Sequence, residues 1–402
     1  MKKTFCQGLR LLIIVMISMM MLTVVGCQSK TAAPPAEKPP VEKVEDKGSW
    51  KIGFIAPLTG PVSSMASYTL EAMQVGIKQI NESGGIHGRP LELIVEDDQT
   101  NPTMTIAAAK KLIERDNVII LNGPLLSTFS LAAIPVVEEE KVPNLTHGAA
   151  IEIVKPIKNW VFKLPHTDTL IIRAQLEYLS KVKGVKNIAV FHQDDASGMS
   201  GGGQLQALSG EYGIMVVAVE KFAAADTDMR PQLLRLSRSN AEAIAIVGAS
   251  NPVGVIAKNA KEVNIKIPII GSHGAVSNQF IKIAGDAAEG IYFIGPKSVA
   301  GEYLDANDPF KKGYDKLMKD LNKEFDIFHG NGYDSIYLIA EVLKIAGPDA
   351  DRNKVRDAFE KINNFTLVNA TYTFKSDNHD GPQADSLIPL VVKYGKFIPA
   401  KN

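Results

Sequence analysis

The chain has 402 residues, of which 45% are apolar, and its 44 basic and 44 acidic residues cancel to a formal net charge of zero. Without an excess of positive charge it has no strong field to attract nucleic acid, so composition argues against a nucleic-acid-binding protein. Its length exceeds what one hydrophobic core usually serves, which favours two domains over one.

The first 26 residues have the layout of an export signal. Three basic residues lie within the first ten, and the apolar run at 11–25 is shorter than the ~20 residues that a membrane-spanning helix needs. The sequence "VVGC" then ends at Cys27 and resembles the bacterial lipobox, in which the cysteine is lipidated and becomes the new N-terminus. We therefore predict a lipoprotein signal peptide at 1–26 and a lipid anchor on Cys27. The alternative is a signal cut nearby, with Cys27 left as a plain thiol.

Residues 27–49 are rich in Pro, Lys and Glu and contain no aromatic residue. Such a segment cannot bury enough apolar surface to fold, and its prolines keep it extended. We predict a lipid-anchored flexible linker that holds a globular body, starting at Trp50, away from the extracytoplasmic face of a bacterial cell membrane.

In the body, short runs of β-branched residues alternate with longer helical patterns. The first round has predicted strands at 51–57, 90–98, 117–123 and 142–148, and predicted helices at 67–83, 103–115 and 128–140. The cycle restarts around Pro165, and two further helices are predicted at 331–347 and 351–362. Strands that alternate with helices indicate parallel sheets covered by helices on both faces, and two rounds indicate two similar α/β lobes.

Two such lobes predict where a ligand binds. In open parallel sheets, ligands lie beyond the carboxyl ends of the strands, where helix N-termini direct N–H groups at them. If those ends face each other across a hinge, they form a cleft between domains, which is a favoured location for a pocket.

Two stretches carry a resemblance to a known family. Residues 51–102, with "LTGP" and "INESGGIHGRPLEL", and residues 283–293, with "GDAAEG", resemble the solute-binding proteins of branched-chain amino-acid-type ABC transporters, the Leu/Ile/Val-binding family. The resemblance is collinear and runs from Trp50 to Asn402. It implies the type I periplasmic binding protein fold, an α/β fold with two Rossmann-like lobes of parallel sheets joined by a hinge of three crossings.

The resemblance also implies domain boundaries. The three crossings are expected near Leu164-Pro165, near Gly295–Ser298 and near Tyr372–Lys375. The first lobe would then comprise 50–165 plus 298–372, and the second would comprise 166–297 plus 373–402.

The family's ligand-holding positions fall partly on different residue types here. The loop "NGPLLST" supplies Leu125 and Ser127, and Ser127 stands at a helix start, where its hydroxyl and the first N–H groups suit a ligand carboxylate. A plain N-cap serine is the alternative, and both can hold at once. Ala149 falls where a backbone group meets the ligand, and Ala150 falls near a position where amino-acid binders carry a threonine hydroxyl.

Three further positions lack the aromatic residue that the family usually carries. Met65 stands where such a residue walls the pocket, and its flexible thioether can fill irregular space there or simply pack in the core. Ser197 and Ser250 each stand where a tyrosine is expected.

The most informative departure lies in "GSHGAVSN", where His273 replaces the glutamate that pairs with the ammonium of an amino-acid ligand. An imidazole cannot replace a carboxylate in that role, but it can donate a hydrogen bond to an anion or a carbonyl. The hypothesis is therefore that the ligand is a small carboxylate, an amide or an aromatic acid. In the alternative, His273 is a surface loop residue, and Asp194 or Asp195 pairs with an ammonium.

The sequence shows no enzyme, metal or cofactor motif. "GMSGG" at 198–202 formally fits the nucleophile-elbow pattern, but its serine lies well beyond the end of the predicted strand. The seven histidines form no H-E-x-x-H pairing, and no phosphate-binding G-x-x-x-x-G-K-[ST] loop is present.

We therefore expect a non-enzymatic monomer without cofactor that captures a small solute by hinge closure. Its partners would be the permease subunits of an ABC importer, driven by an ATPase on the cytoplasmic side. A ligand-sensing receptor subunit that uses the same closure to signal remains an alternative interpretation.

Overall fold

The computed structural model describes residues 48–60 and 62–400. The predicted signal peptide, Cys27 and nearly all of the predicted linker lie outside the described residues. None of the helices in the described part of the chain combines the length and the apolar character that a bilayer crossing requires.

The first sheet has five parallel strands in the order β2–β1–β3–β4–β5. Its strands are β1 (Trp50–Ala56), β2 (Leu91–Asp97), β3 (Ile120–Asn122), β4 (Asn144–Thr146) and β5 (Val161–Lys163). The connecting helices are α1 (Ser63–Glu82), α2 (Pro102–Lys110, continued by a π-helical turn at Lys111–Arg115) and α3 (Ser127–Glu139).

Helices cover both faces of this sheet because successive side chains of a strand point to opposite sides. Ile52 and Phe54 of β1 belong to one buried cluster, while the next residue, Ile55, belongs to another that contains side chains of α2 and α3. A strand that is buried on both faces appears in the sequence as a continuous apolar run, which explains why β1 could be predicted.

The second sheet has seven strands in the order β14–β13–β10–β9–β8–β6–β7. The parallel strands are β6 (Asn187–Gln193), β7 (Met215–Phe222), β8 (Ala243–Val247), β9 (Ile269–Gly271) and β10 (Tyr292–Pro296). An antiparallel edge is added by β13 (Leu387–Lys393) and β14 (Lys396–Pro399). The associated helices are α4 (Asp168–Glu177), α5 (Ala196–Leu208), α6 (Arg230–Ser237), α7 (Ser250–Glu262) and α8 (Asn278–Ala284).

Three later helices and a small hairpin pack with the first sheet. They are α9 (Pro309–Leu321), α10 (Ile327–Ala346), α11 (Arg352–Phe359), β11 (Phe365–Thr366) and β12 (Thr371–Tyr372). Ile336 and Phe359 share a buried cluster with the residues of β1, which joins α10 and α11 to the first sheet. We call this assembly the first lobe and the second sheet with its helices the second lobe. The predicted α/β fold with parallel sheets in two lobes is thus confirmed.

The order of the strands bears on where the chain passes between the lobes. The chain leaves the first sheet after Lys163 and the second sheet after Pro296, although Val299 and Ala300 still pack in the core of the second lobe. Beyond Tyr372, however, Phe374 is buried in the core of the first lobe, and Asp380 forms a bridge with Lys163. Because these contacts hold residues 373–383 on the first lobe, the chain enters the second sheet only with β13. The domain boundaries remain predictions, and these contacts favour a third crossing after residue 383 over one near Tyr372–Lys375.

Candidate functional site

A cavity of about 80 Å³ lies where the two lobes meet. Its wall comes from loops that follow β3 and β4 of the first sheet, from loops that follow β6, β8 and β9 of the second, and from the start of α10. The cavity therefore occupies the position that two open parallel sheets with facing carboxyl ends create.

Six of the eight residues predicted to bind ligand line this cavity, namely Met65, Leu125, Ser127, Ala149, Ser197 and His273. The other two do not reach its wall. Ala150 is buried, and its N–H donates to the Ser127 hydroxyl at 3.1 Å. Ser250 is the first residue of α7, and its hydroxyl donates to the carbonyl of Gly274 at 3.3 Å inside the second lobe.

Ser127 offers hydrogen-bond donors to the cavity from the N-terminus of α3. Its Oγ accepts the N–H groups of Ala149 at 3.0 Å and Ala150 at 3.1 Å, so its own O–H is left to donate. The N-cap residue, Leu126, provides no side-chain hydrogen bond to the first turn of the helix. The hydroxyl and the first N–H groups of α3 together suit an anion such as a carboxylate.

Two buried histidines line the cavity in neutral form. Burial lowers the pKa of both His147 and His273 to about 3, so neither carries a positive charge near neutral pH. His147 Nε2 donates to the Asn122 side-chain oxygen at 2.7 Å. His273 is only 9% exposed, and its Nδ1 atom is buried without a hydrogen-bond partner. His273 is therefore not the surface loop residue of the alternative interpretation.

The two candidate ammonium partners, Asp194 and Asp195, occupy different environments. Asp195 lines the cavity and caps α5, where its carboxylate accepts the N–H of Gly198 at 2.8 Å. Asp194 lies outside the cavity wall, with about half of its side chain exposed, and pairs with Lys221 at 3.2 Å. Of these neighbours, only Asp195 can meet a ligand in this cavity.

Sequence reasoning missed the contribution of α10. Its residues Ile327, Phe328 and Asn331 line the cavity, although the sequence pattern predicted a helix only from 331. The helix begins one turn earlier because Asp326 caps it and forms a capping box with His329. An Asp followed by an apolar pair is a helix-start signal that could have revealed this turn.

A larger cavity, of about 690 Å³, opens beside the predicted site and shares only Ile327 with it. It is lined by Tyr303, Tyr314 and Tyr394 among others and contains none of the predicted ligand-binding residues. We place the site in the smaller cavity because the strand ends and helix N-termini of both sheets converge there. Within residues 48–60 and 62–400, no cluster of three His, Cys, Asp or Glu side chains is arranged to hold a metal ion.

Comparisons with known proteins agree with this architecture. The leucine-, isoleucine-, valine-, threonine- and alanine-binding protein of Pseudomonas aeruginosa is 26% identical over 310 residues, which cover 77% of this chain and 81% of that protein. An extracellular ligand-binding receptor from Rhodopseudomonas palustris HaA2 superposes with a TM-score of 0.82 at 25% identity, covering 88% of this chain and 99% of that one.

A third relative shares the fold. The branched-chain amino acid transporter substrate-binding protein LivJ from Streptococcus pneumoniae, solved in complex with isoleucine, superposes with a TM-score of 0.76 at 23% identity over 88% of this chain and all of that one. These relatives are named as binding proteins and receptors, which agrees with the expectation that the chain is not an enzyme. The family model described as periplasmic binding protein matches residues 49–388, and the chain therefore belongs to the periplasmic binding protein family.

Proposed function

We propose that this protein is the solute-binding component of an ABC importer and captures a small organic solute by closing its two lobes. The observation that carries the proposal is the convergence of six sequence-predicted side chains, from both lobes, on one small cavity. A solute that touches both lobes stabilises their closed arrangement, because closure creates contacts that an open form lacks.

The solute carries a carboxylate, which binds to Ser127 and the N-terminus of α3. The O–H of Ser127 is left to donate, and no side chain of the N-cap residue, Leu126, satisfies the N–H groups of the first turn. Hydrogen bonds to an ionised acceptor are roughly twice as strong as those between neutral groups. This contact therefore fixes the orientation of the solute.

His273 makes the second polar contact as an uncharged group. Its buried neutral ring can donate to a carbonyl or carboxylate oxygen or accept from an amide, but it cannot neutralise an ammonium. We propose that the solute places an uncharged polar group or a carboxylate oxygen, not an ammonium, against His273. A carboxylate, amide or aromatic acid meets this condition directly, and an amino acid meets it if its amine lies elsewhere.

The remaining wall selects solutes by size and shape. Met65, Leu125 and Phe328 supply apolar surface, and the volume of about 80 Å³ limits the solute to a small molecule. The thioether of Met65 is flexible enough to adapt to different apolar groups. The segments that follow Lys163 and Pro296, together with the later passage before Leu387, serve as hinges.

The protein is held at the cell membrane by lipid on Cys27, with residues 28–49 as the linker. The support for this proposal is the sequence alone, since the residues concerned lie outside the described part of the chain. Cys27→Ser is expected to release the protein from the membrane fraction and to abolish its labelling by a radioactive fatty acid. Membrane retention and labelling of this variant would contradict the anchor.

A thermal-shift screen of amino acids, organic acids and small amides tests the main proposal, because a solute that binds only the folded state raises the melting temperature with its concentration. Calorimetry of each hit would follow with Ser127→Ala, which should lose affinity, and with Ser250→Ala as a matched control that should not. No shift with any compound would overturn the proposal. Tight leucine binding that His273→Ala leaves unchanged would remove the role of His273. Loss of cellular uptake of the solute on gene deletion tests transport against sensing.

A further inference from the structure

The larger cavity has the size of a small-molecule site, although the proposed function assigns it no role. Its volume of about 690 Å³ falls within the roughly 300–1,000 Å³ that ligand pockets usually have. One side of its wall comes from α9 and from the segment between α9 and α10. The other side comes from the start of α8, from residues 299–303 and from the turn between β13 and β14. Since it shares only Ile327 with the small cavity, it is a separate candidate site.

Aromatic side chains line this cavity both in its interior and at its edge. Tyr314 and Phe397 are buried, and the ring of Tyr314 lies 5.3 Å from that of Phe325. Tyr303 and Tyr394, by contrast, are 55% and 91% exposed. Single exposed aromatic residues are common on a protein surface, but two that border the same cavity provide a larger apolar surface for a ligand.

Tyr394 has a backbone conformation that is unfavourable for tyrosine. It forms, with Gly395, the two-residue turn between β13 and β14, and its φ of 55° lies in the left-handed region. Asn, Asp and Gly are the residues preferred there, and a bulky side chain is uncommon. The Glu289 carboxylate holds the turn by accepting the N–H groups of Tyr394 at 3.0 Å and Gly395 at 2.7 Å. Because the ring is almost fully exposed, packing does not explain why the chain tolerates this strain, which points to a function.

The two lysines of the cavity wall already have acidic partners. Lys396 lies 3.5 Å from the carboxylate of Glu302, which also lines the cavity. Lys323 lies 2.8 Å from the carboxylate of Glu71, which does not. The positive charge of the wall is therefore compensated by these pairs.

Two acidic side chains of the same wall, Glu324 and Asp326, have no ion-pair partner among residues 48–60 and 62–400. Glu324 is exposed. Asp326 is buried and accepts hydrogen bonds from neutral groups only, namely the Ser277 hydroxyl and two backbone N–H groups. Burial raises the pKa of Asp326 to about 6, so most of it is ionised at pH 7.5. The wall is therefore negative, which favours a cation and disfavours an anion.

We propose that this cavity binds a small organic cation, of the quaternary-ammonium or alkylammonium class, between the rings of Tyr303 and Tyr394 with Glu324 as its counter-charge. The face of an aromatic ring attracts a cation within about 6 Å of its centre. In the described part of the chain, a lysine lies over Tyr314, with Nζ 5.1 Å from the ring centre, but no cation lies over Tyr303 or Tyr394. The inference goes beyond the proposed function and does not depend on it, because the two cavities are separate.

The probes are pairs of compounds that differ in charge but hardly in shape. Choline and 3,3-dimethylbutan-1-ol form one pair, since a carbon atom replaces the quaternary nitrogen, and benzylammonium and benzyl alcohol form another. Calorimetry and ligand-observed NMR of the wild-type protein would measure all four affinities. In the better-bound pair, we expect the cation to bind about tenfold or more tightly than the neutral compound.

Tyr394→Asn provides a signature that a purely structural role would not produce. Asn accepts the left-handed conformation more readily than Tyr does, so this variant should melt at a higher temperature than the wild-type protein. Because it also loses the ring, its affinity for the cation should fall about fivefold or more. A gain in stability together with a loss of binding would show that the strained tyrosine serves the site.

Further variants test the charge and the location of the site. Glu324→Gln should reduce the preference for the cation over the neutral compound. Glu114→Gln is the matched control, because Glu114 is also exposed but lies outside the cavity wall, and it should preserve that preference. Ser127→Ala alters only the small cavity and should leave choline binding unchanged.

Four outcomes would overturn the inference. They are equal binding of the cation and its neutral counterpart, wild-type choline affinity in Tyr394→Asn, loss of choline binding in Ser127→Ala, and no binding of either cation at millimolar concentration. None of them bears on the solute screen of the small cavity, so the proposed function and this inference can fail independently.

Discussion

Asp326 of the first lobe accepts a hydrogen bond from the hydroxyl of Ser277 of the second lobe at 2.7 Å. The same carboxylate oxygen accepts the N–H of Asn278 at 2.8 Å, and the Asn278 side chain donates to the carbonyl of Phe325 at 3.0 Å. Asp326 and Ser277 are both buried. We call these four residues the interlobe clasp, because their hydrogen bonds join the start of α10 to the start of α8.

We expect Ser277→Ala to weaken the closed form. It removes a hydrogen bond to a buried carboxylate, worth roughly 1.5–3 kcal/mol, so solute affinity should fall about tenfold or more. Ser277 also caps α8 by accepting the N–H of Gln279 at 3.2 Å, and loss of that cap lowers stability as well. Small-angle scattering without solute should show a larger radius of gyration than that of the wild-type protein.

Asn101→Ala provides the control for this experiment. Asn101 caps α2 in the first lobe by accepting the N–H groups of Thr103 and Met104, at 2.8 and 3.3 Å, and takes no part in the clasp. Both variants should lose stability by about 1 kcal/mol from the cap, but only Ser277→Ala should change affinity and scattering. Equal affinities in the two variants would show that the clasp does not support closure.

Gly332→Ala should destabilise the first lobe. A Cβ at this position of α10 would lie 2.1 Å from the carbonyl oxygen of Thr69 in α1, so the two helices would have to separate. Forcing extra volume into a packed core costs typically about 1–3 kcal/mol. Gly203→Ala in α5 is the opposite case, because its added methyl group would meet no other atom within 4 Å and Ala favours helix by up to about 1 kcal/mol.

Urea denaturation measures the free energy of unfolding of both variants. Relative to the wild-type protein, it should fall for Gly332→Ala and rise for Gly203→Ala. No fall in stability for Gly332→Ala would contradict the close approach of α10 to α1, and a fall for Gly203→Ala would contradict the open space beside that position of α5. The comparison is informative because the two substitutions add the same methyl group.

The sequence predicted elements well wherever burial leaves a local pattern. The apolar run at 51–57 predicted β1, and the helix predicted at 67–83 is observed as Ser63–Glu82. The strand predicted at 117–123 is observed only as Ile120–Asn122, because a strand needs hydrogen-bonded partners and these depend on neighbours distant in the sequence.

Most residues that line the site could be predicted from the sequence, but the burial and charge environment of its ionisable side chains could not. Ser127 and His273 were placed at the cavity through the family resemblance. No local pattern distinguishes Asp194 from Asp195, which are adjacent in sequence but differ in burial only after folding. The sequence also did not predict that residues 373–383 stay on the first lobe. Their position depends on the packing of Phe374 and on the β-bridge between Asp380 and Lys163, which are far apart in the sequence.

Asp334 should make stability depend on pH. Its buried carboxyl on α10 accepts the N–H groups of Val368 and Asn369, each at 2.8 Å, and the hydroxyl of Tyr372 at 3.0 Å. Burial raises its pKa from the ordinary 3.8 to about 7, so the folded state binds this proton more tightly than the unfolded state does. The contribution of Asp334 to stability therefore falls as pH rises from about 4 to about 7.

In Asp334→Asn the side chain at position 334 has no ionisable group. The stability of this variant therefore lacks the pH-dependent contribution of Asp334. The advantage of the wild-type protein over the variant should be largest near pH 4 and should shrink by at most about 4 kcal/mol by pH 7. Denaturant titrations of both proteins across this range provide the measurement. A constant difference between them would show that Asp334 has the same pKa in the folded and unfolded states.

Lys163 and Asp380 lie beside the first interlobe passage. Lys163 is fully buried, and its Nζ donates to the carbonyl of Pro165 at 3.0 Å and lies 4.0 Å from the Asp380 carboxylate. Burial lowers the pKa of Lys163 to about 8, and one oxygen of Asp380 has no hydrogen-bond partner. Asp380 thus compensates part of the Lys163 charge, and the buried carboxyl of Asp168 also acts on it.

Removing one member of a buried pair typically costs about 3–5 kcal/mol, because the other charge is left buried without its partner. Lys163→Met and Asp380→Asn should each destabilise the protein, and the double variant should lose less than the sum of the two. A double-mutant cycle by urea denaturation gives this coupling. The exposed pair Lys78 and Glu82, 3.9 Å apart, is the control and should couple by less than about 0.5 kcal/mol. If the buried pair couples no more strongly than the exposed pair, this ion pair does not help to hold residues 373–383 on the first lobe. The hydrogen bond from the Lys163 N–H to the carbonyl of His379 at 3.1 Å and the packing of Phe374 would then do so.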